Sequence, residues 1–226
     1  MFDTGQTTQP KNGKKIYLIR HAQSESNAGK LVRPNHEINI TELGQTQANE
    51  LAEWLQSHIN EPIADIFISQ YVRTHQTAKP FLDKVGRSAT MIDDLHEINY
   101  LDFERIKDLS FDEIRKLADE FWQKSPSHQD SDVTDSFEQF VQRVKNVRAF
   151  FDGLPDGTYV VFTHGMWIGM LMWQVLLGNS PRVMNMQRFR EFELVVRPKN
   201  CEVFLFDGLA IHKVRSRNDG NDDEIR

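Results

Sequence analysis

Short apolar runs alternate along the chain with longer stretches in which apolar residues recur every three or four positions. The runs Ile16 to Ile19, Ile66 to Ser69, Ala89 to Ile92, Tyr159 to Thr163 and Glu202 to Phe206 have the length and boundaries of strands. From Leu43 to Ile59, the residues Leu43, Leu51, Leu55 and Ile59 recur at multiples of four, with Ala48 and Ala52 on the adjoining row. Thr41 stands where a capping residue belongs, so the spacing predicts an amphipathic helix. Residues 71–85, 110–124, 136–151 and 165–177 predict further helices. The helix at 136–151 opens on a spacing like that of a capping box, Asp135 to Glu138. The run after His164, MWIGMLMWQVLLG, is apolar on every face and reads as a core helix, about half the length of a membrane span.

Strands that alternate with helices predict an α/β fold: a three-layer sandwich with a largely parallel central sheet flanked by helices. The polar stretch Ser125 to Ser136 marks residues 99–136 as a helical insertion over the active-site end of one domain spanning residues 15–215. Residues 1–14 and the acidic segment 216–226 read as polar tails that bury too little to order. A formal charge of −6 and a pI near 5.8 exclude nucleic acid and membrane surfaces as natural partners, because both repel a net anion. Cys201 is the one cysteine, so an intrachain disulfide is excluded and a reducing compartment fits. The N-terminal segment has no apolar core of a signal peptide, and the chain is expected to be cytoplasmic. Nothing in the pattern speaks to oligomeric state.

In open parallel sheets, ligands bind beyond the carboxyl ends of the strands. There the predicted strands are followed by Arg20 and His21, by Arg73, by Glu97, and by His164. Each alone is unremarkable, and a single histidine after a strand is more often a packing residue than a catalyst. Their convergence suits one task. A phosphoryl group in transfer spreads negative charge over its oxygens, and Arg20, Arg73 and His164 could hold that charge. A neutral imidazole at His21 could attack phosphorus, and a carboxyl at Glu97 could protonate the leaving oxygen and later deprotonate water. Asn27 and the following Ala28-Gly29 would add amide donors. None of the eight histidines has the spacing of a zinc motif, so no metal and no cofactor is expected.

These residues lie in ordered blocks: RHAQSESN at Arg20 to Asn27, ITELGQTQA at Ile40 to Ala48, SQYVRTHQTA at Ser69 to Ala78, LHEINYLDFER at Leu95 to Arg105, and FTHGMW at Phe162 to Trp167. Together they resemble the histidine phosphatase superfamily, in its phosphoglycerate-mutase-like branch, from about Lys15 to Val214. The resemblance implies that His21 is the nucleophile, Glu97 the proton donor, and Arg20, Arg73, His164 and Asn27 the phosphate contacts. Ala22, Ser24, Leu101, Arg105 and Met166 depart from the family pattern, so the usual substrates do not carry over. Arg105 reads as a solvated loop residue with a second anion contact as its alternative, and the same holds for Lys30, Arg33 and His36. Phe111, Phe121 and Trp122 read as core, with a lid as the alternative.

The expected activity is metal-independent hydrolysis of a small phosphorylated metabolite through a phosphohistidine. A cofactor-dependent phosphoglycerate mutase is the alternative within enzymes; such mutases of the family it resembles carry an adjacent arginine pair for the substrate carboxylate and a proline-rich run, and from Lys107 to Gln142 this chain has only Lys107, Arg115, Lys116 and Lys124 as cations and one proline, Pro126. A phosphoprotein-binding or scaffold protein is the alternative from another class. Against it, arginines and histidines crowded on one rim repel each other unless an anion joins them.

Overall fold

A computed structural model describes residues 13–29 and 33–216. Lys30 and nearly all of both expected tails lie outside the described residues. The elements in chain order are β1 (Lys15–Arg20), α1 (Glu42–His58), β2 (Ile63–Ile68), α2 (Val72–Val85), β3 (Thr90–Met91), α3 (Phe103–Ile106), α4 (Phe111–Phe121), α5 (Phe137–Gly153), β4 (Thr158–Thr163), α6 (Gly165–Leu177), α7 (Met186–Val196), β5 (Val203–Phe206) and β6 (Ile211–Arg215). They form one six-stranded sheet in the order β3-β2-β4-β1-β5-β6. Its first four strands are mutually parallel, β5 pairs antiparallel with β1, and β6 pairs antiparallel with β5.

Side chains alternate across this sheet with period two, and each face carries its own core. Ile16, Leu18, Phe67, Tyr159, Val161, Phe204 and Phe206 meet residues of α5, α6 and α7 on one face. Tyr17, Ile19, Ile66, Ile68, Val160, Phe162 and Val203 meet α1 and α2 on the other. This is the expected three-layer α/β sandwich. The all-apolar helix, α6, is buried along most of its length, as its composition requires.

Several boundaries follow from local chemistry. Thr41 caps α1, its side chain accepting from the Gly44 amide at 3.0 Å, an interaction that stabilises a helix by about 1 kcal/mol. The capping box of α5 sits one residue later than its sequence suggested. Ser136 and Gln139 form it, because Asp135 is drawn away to pair with Arg143 at 2.9 Å and to accept the Asn99 amide at 2.7 Å. Two elements, α7 and β6, and the single turn of α3 were not legible in the apolar pattern. The inward row of α7 is Met186, Phe189 and Glu193, and a charge in that row breaks the hydrophobic period. Strand β6 is an edge strand, and its polar His212, Lys213 and Arg215 guard an open edge.

Candidate active site

Because β3, β2, β4 and β1 are parallel neighbours, the segments that follow them emerge along one rim. Arg20, His21, Asn27, Arg73 and Glu97 all line a single cleft of about 530 Å³ there, within the range of small-molecule sites.

The turn after β1 is fixed from several sides. Thr77 accepts the Ala22 amide at 2.9 Å, and Gln47 accepts the Gln23 amide at 2.7 Å. Gly44 packs so closely that a Cβ there would overlap the Gln23 carbonyl oxygen. The ITELGQTQA block thus shapes the turn after β1 through Gly44 and Gln47. Asn200, from the turn before β5, donates to the His21 carbonyl at 2.9 Å and to Asn27 Oδ1 at 3.1 Å. That turn places Cys201 at φ 61°, a left-handed conformation rare for a residue with a side chain. Asn27 Oδ1 also accepts from the Ser24 hydroxyl at 3.0 Å, which leaves its amide donors for the cleft.

His21 is oriented and its tautomer is set. Nδ1 lies 2.7 Å from the Ala22 carbonyl, which can only accept, so Nδ1 carries the proton and the Nε2 lone pair faces Arg73 Nε at 3.2 Å. Burial, then the charges of Arg73 and Arg20, hold its pKa well below the usual histidine value. The imidazole is neutral at physiological pH. Burial likewise lowers Arg73, to about 10, and Arg73 commits two of its four remaining N–H donors to the carbonyl of Asn35 at 2.5 Å and to Asn35 Oδ1 at 3.1 Å.

Glu97 meets the first turn of α6, accepting the Met166 amide at 2.9 Å. The first turn of α6, where the helix dipole favours an anion, is therefore partly occupied by this carboxyl. Burial raises the Glu97 pKa, outweighing the Met166 amide and Arg73, which lower it. Arg20 donates to the Pro198 carbonyl at 2.5 Å, and the space for its guanidinium exists because residue 165 is glycine: a Cβ would lie 3.2 Å from Arg20 Nε.

His164 is placed differently from the other expected phosphate contacts. It is fully buried beside His21, ring centroids 5.2 Å apart, and is not part of the cleft lining. Its Nε2 pairs with Ser69 Oγ at 2.9 Å, and its Nδ1 has no hydrogen-bond partner among the described residues. Burial first, then the Arg73 charge, lowers its pKa well below the usual value.

Among the positions that depart from the family pattern, Leu101 and Met166 line the cleft, whereas Ala22 is core. Arg105 pairs with Asp130, outside the cleft. Arg33 lines it and pairs with Glu25 at 3.2 Å; His36 is exposed beside Glu37. Phe121 and Trp122 are core, while Phe111 lines the cleft. The sequence reading missed Asn35, Ser69 and Asn200 as supports, and Arg190, Glu193 and Arg197 as lining residues. Ser69 alone carried a signal, as the first residue of its block. Among the described residues no cluster of His, Cys, Asp or Glu is arranged to hold a metal, and no helix is long and apolar enough to cross a membrane.

A candidate phosphoserine phosphatase of Hydrogenobacter thermophilus is 27% identical over 67% of this chain and 73% of its own. A probable phosphoglycerate mutase of Yersinia enterocolitica is 27% identical over 79% and 82%. Among solved structures, a mycobacterial glucosyl-3-phosphoglycerate phosphatase shares the fold with a TM-score of 0.65 at 19% identity, covering 88% of this chain and 96% of that one. The sequence pattern of the histidine phosphatase superfamily (branch 1) matches residues 16–202, and the chain belongs to that superfamily.

Proposed function

We propose that the protein is a phosphatase that hydrolyses the phosphomonoester of a small metabolite through a phosphohistidine on His21. The observation that carries this reading is the neutral imidazole with Nε2 directed at Arg73, beside a carboxyl whose pKa is raised. An entering phosphate would draw the Arg73 guanidinium from Nε2 to its own oxygens and leave the lone pair facing phosphorus. His21 Nε2 then forms the P–N bond as the P–O bond to the alcohol breaks, and Glu97 gives its proton to the leaving oxygen. In the second half, the Glu97 carboxylate takes a proton from water, the water oxygen bonds to phosphorus, the P–N bond breaks, and phosphate leaves. Arg20 and Arg73 stabilise the charge in both transition states.

Hydrolysis, rather than transfer to a second hydroxyl, is favoured by the insertion, whose cleft residues are mostly apolar with Arg115 as their one arginine. The test is hydrolysis of p-nitrophenyl phosphate in excess chelator. Activity should survive the chelator, vanish in His21→Ala, and leave acid-labile, base-stable phosphate on His21 after rapid quench. An active His21→Ala protein would refute the assignment.

A further inference from the structure

The phosphoryl chemistry uses one part of the cleft and leaves unexplained a charged group that α7 brings to its wall. Glu193 is completely buried and is held by three bonds: from Arg190 Nη1 at 2.8 Å, and from Arg197 Nε at 2.6 Å and Nη2 at 2.7 Å. Its side chain fits against α6 where residue 169 is glycine; a Cβ there would lie 3.5 Å from Glu193 Cγ. Burying a carboxylate is unfavourable unless it is paired, and one arginine would have sufficed. Here two are present, and the formal charges of these three side chains, which line the cleft, sum to one positive.

Both arginine side chains keep some exposed surface, 19% and 26%. Arg190 is braced further, its guanidinium 5.3 Å from the ring of Trp122. The bond to Glu193 uses one of the five N–H donors of Arg190. A guanidinium fixed by a buried carboxylate and an aromatic face is pre-organised for an anion, because little side-chain entropy remains to be lost. The other arginines on the rim differ: Arg33 pairs with Glu25, and Arg115 lies 3.9 Å from Asp112.

We propose that Arg190 and Arg197, held on Glu193, form a second anion subsite that binds a carboxylate on the alcohol part of the substrate. One net positive charge matches a monoanion, whereas a second phosphate would bring excess negative charge beside Glu193. The insertion supplies an apolar wall to the same cleft through Leu101, Phe103, Ile106, Phe111 and Ile114. The substrate class is therefore a phosphomonoester whose alcohol carries an apolar body and a carboxylate. This inference rests on the phosphatase reading above.

A graded series of ω-carboxyalkyl phosphates, each against its uncharged ω-carboxamide, tests it. For the chain length that fits, kcat/KM should favour the carboxylate, and that preference should be about tenfold larger in the wild type than in Arg190→Gln, a difference of about 1.4 kcal/mol. The change should lie in KM. The preference is a ratio within one preparation, so it does not depend on what fraction of the variant is folded. Arg190→Lys, which keeps the charge but loses the planar fork, should recover part of it. Equal rates for carboxylate and carboxamide at every length, or a preference undiminished in Arg190→Gln, would overturn the subsite while leaving the phosphatase reading intact. Hydrolysis of no ester at all would overturn both.

Discussion

Replacing Arg73 with methionine separates what this residue does for the reaction from what it does for the fold. Arg73 is 4% exposed, and burial lowers its pKa from 12.5 to about 10. A cation whose folded pKa lies below its unfolded value weakens the fold at every pH where it stays charged. At neutral pH the shift corresponds to about 3 kcal/mol of penalty. Methionine removes that penalty, but it leaves the Asn35 carbonyl and Oδ1 without the Arg73 donors, a loss of about 1–3 kcal/mol. The two effects nearly cancel. Stability should therefore hold or rise by up to about 2 kcal/mol, which for a chain of this size is a gain in Tm of no more than about 8 °C. Activity should not hold. Removing one pre-organised donor from the transition-state charge typically lowers kcat by about 100- to 1,000-fold, and here the same residue also faces His21 Nε2 at 3.2 Å. Steady-state hydrolysis of p-nitrophenyl phosphate reads the first effect, and thermal unfolding with and without added phosphate reads the second. Phosphate should raise Tm in the wild type and much less in the variant. A variant that unfolds well below the wild type, or that keeps more than about a tenth of its kcat, would refute the reasoning.

Glu97→Gln removes the proton donor, so hydrolysis should drop steeply for alkyl phosphates and far less for p-nitrophenyl phosphate, whose leaving oxygen needs no proton; equal losses for both would count against Glu97 as the acid. Because burial raises Glu97, the wild-type rate on alkyl esters should persist above the ordinary carboxylate range and fall as pH rises through the raised value; a pH–rate profile for kcat/KM measures this. His21 and His164 are both held neutral by burial, so the unfolded chain binds more protons below about pH 6.5 and stability should fall as the medium is acidified from there; urea midpoints across that range should show the decline, shallower in His21→Asn. Gly165→Ala puts a Cβ 3.2 Å from the Arg20 side chain, which must shift, so KM should rise several-fold with little change in Tm; an unchanged KM would mean that Arg20 does not hold substrate there.

The central fold was legible because its apolar pattern is simple. Strands β1 and β4, buried on both faces, read as short continuous runs, and α1 as a regular four-residue repeat bounded by Thr41. The parallel order then carried Arg20, His21, Arg73, Glu97 and His164 to one rim without any further assumption. What escaped was decided by tertiary context. Glu193 sits where a helix normally places an apolar residue, so α7 had no visible face until its arginines were seen to neutralise the charge. Asn200 lies in a polar turn before β5, and its value comes from reaching His21 and Asn27 across a sequence separation that no local pattern encodes. His164 lies on the expected rim, yet its pairing with Ser69 directs one ring nitrogen away from the cleft.

In the proposed reaction, the electrostatics of the cleft let one set of residues both receive a dianion and keep the nucleophile ready. The charges of Arg20 and Arg73, suited to a phosphate, also reach His21, and they disfavour its protonation. A protonated imidazole has no lone pair for phosphorus, so the charges that attract the substrate also prevent the one protonation state that could not react with it. Glu97 is governed by the opposite balance. Arg73 favours its ionised form, yet burial prevails, and a bound phosphate would offset Arg73 and favour the protonated acid further. Substrate binding would thus strengthen the proton donor as it draws Arg73 away from His21 Nε2. The arrival of one anion sets both groups in their working states.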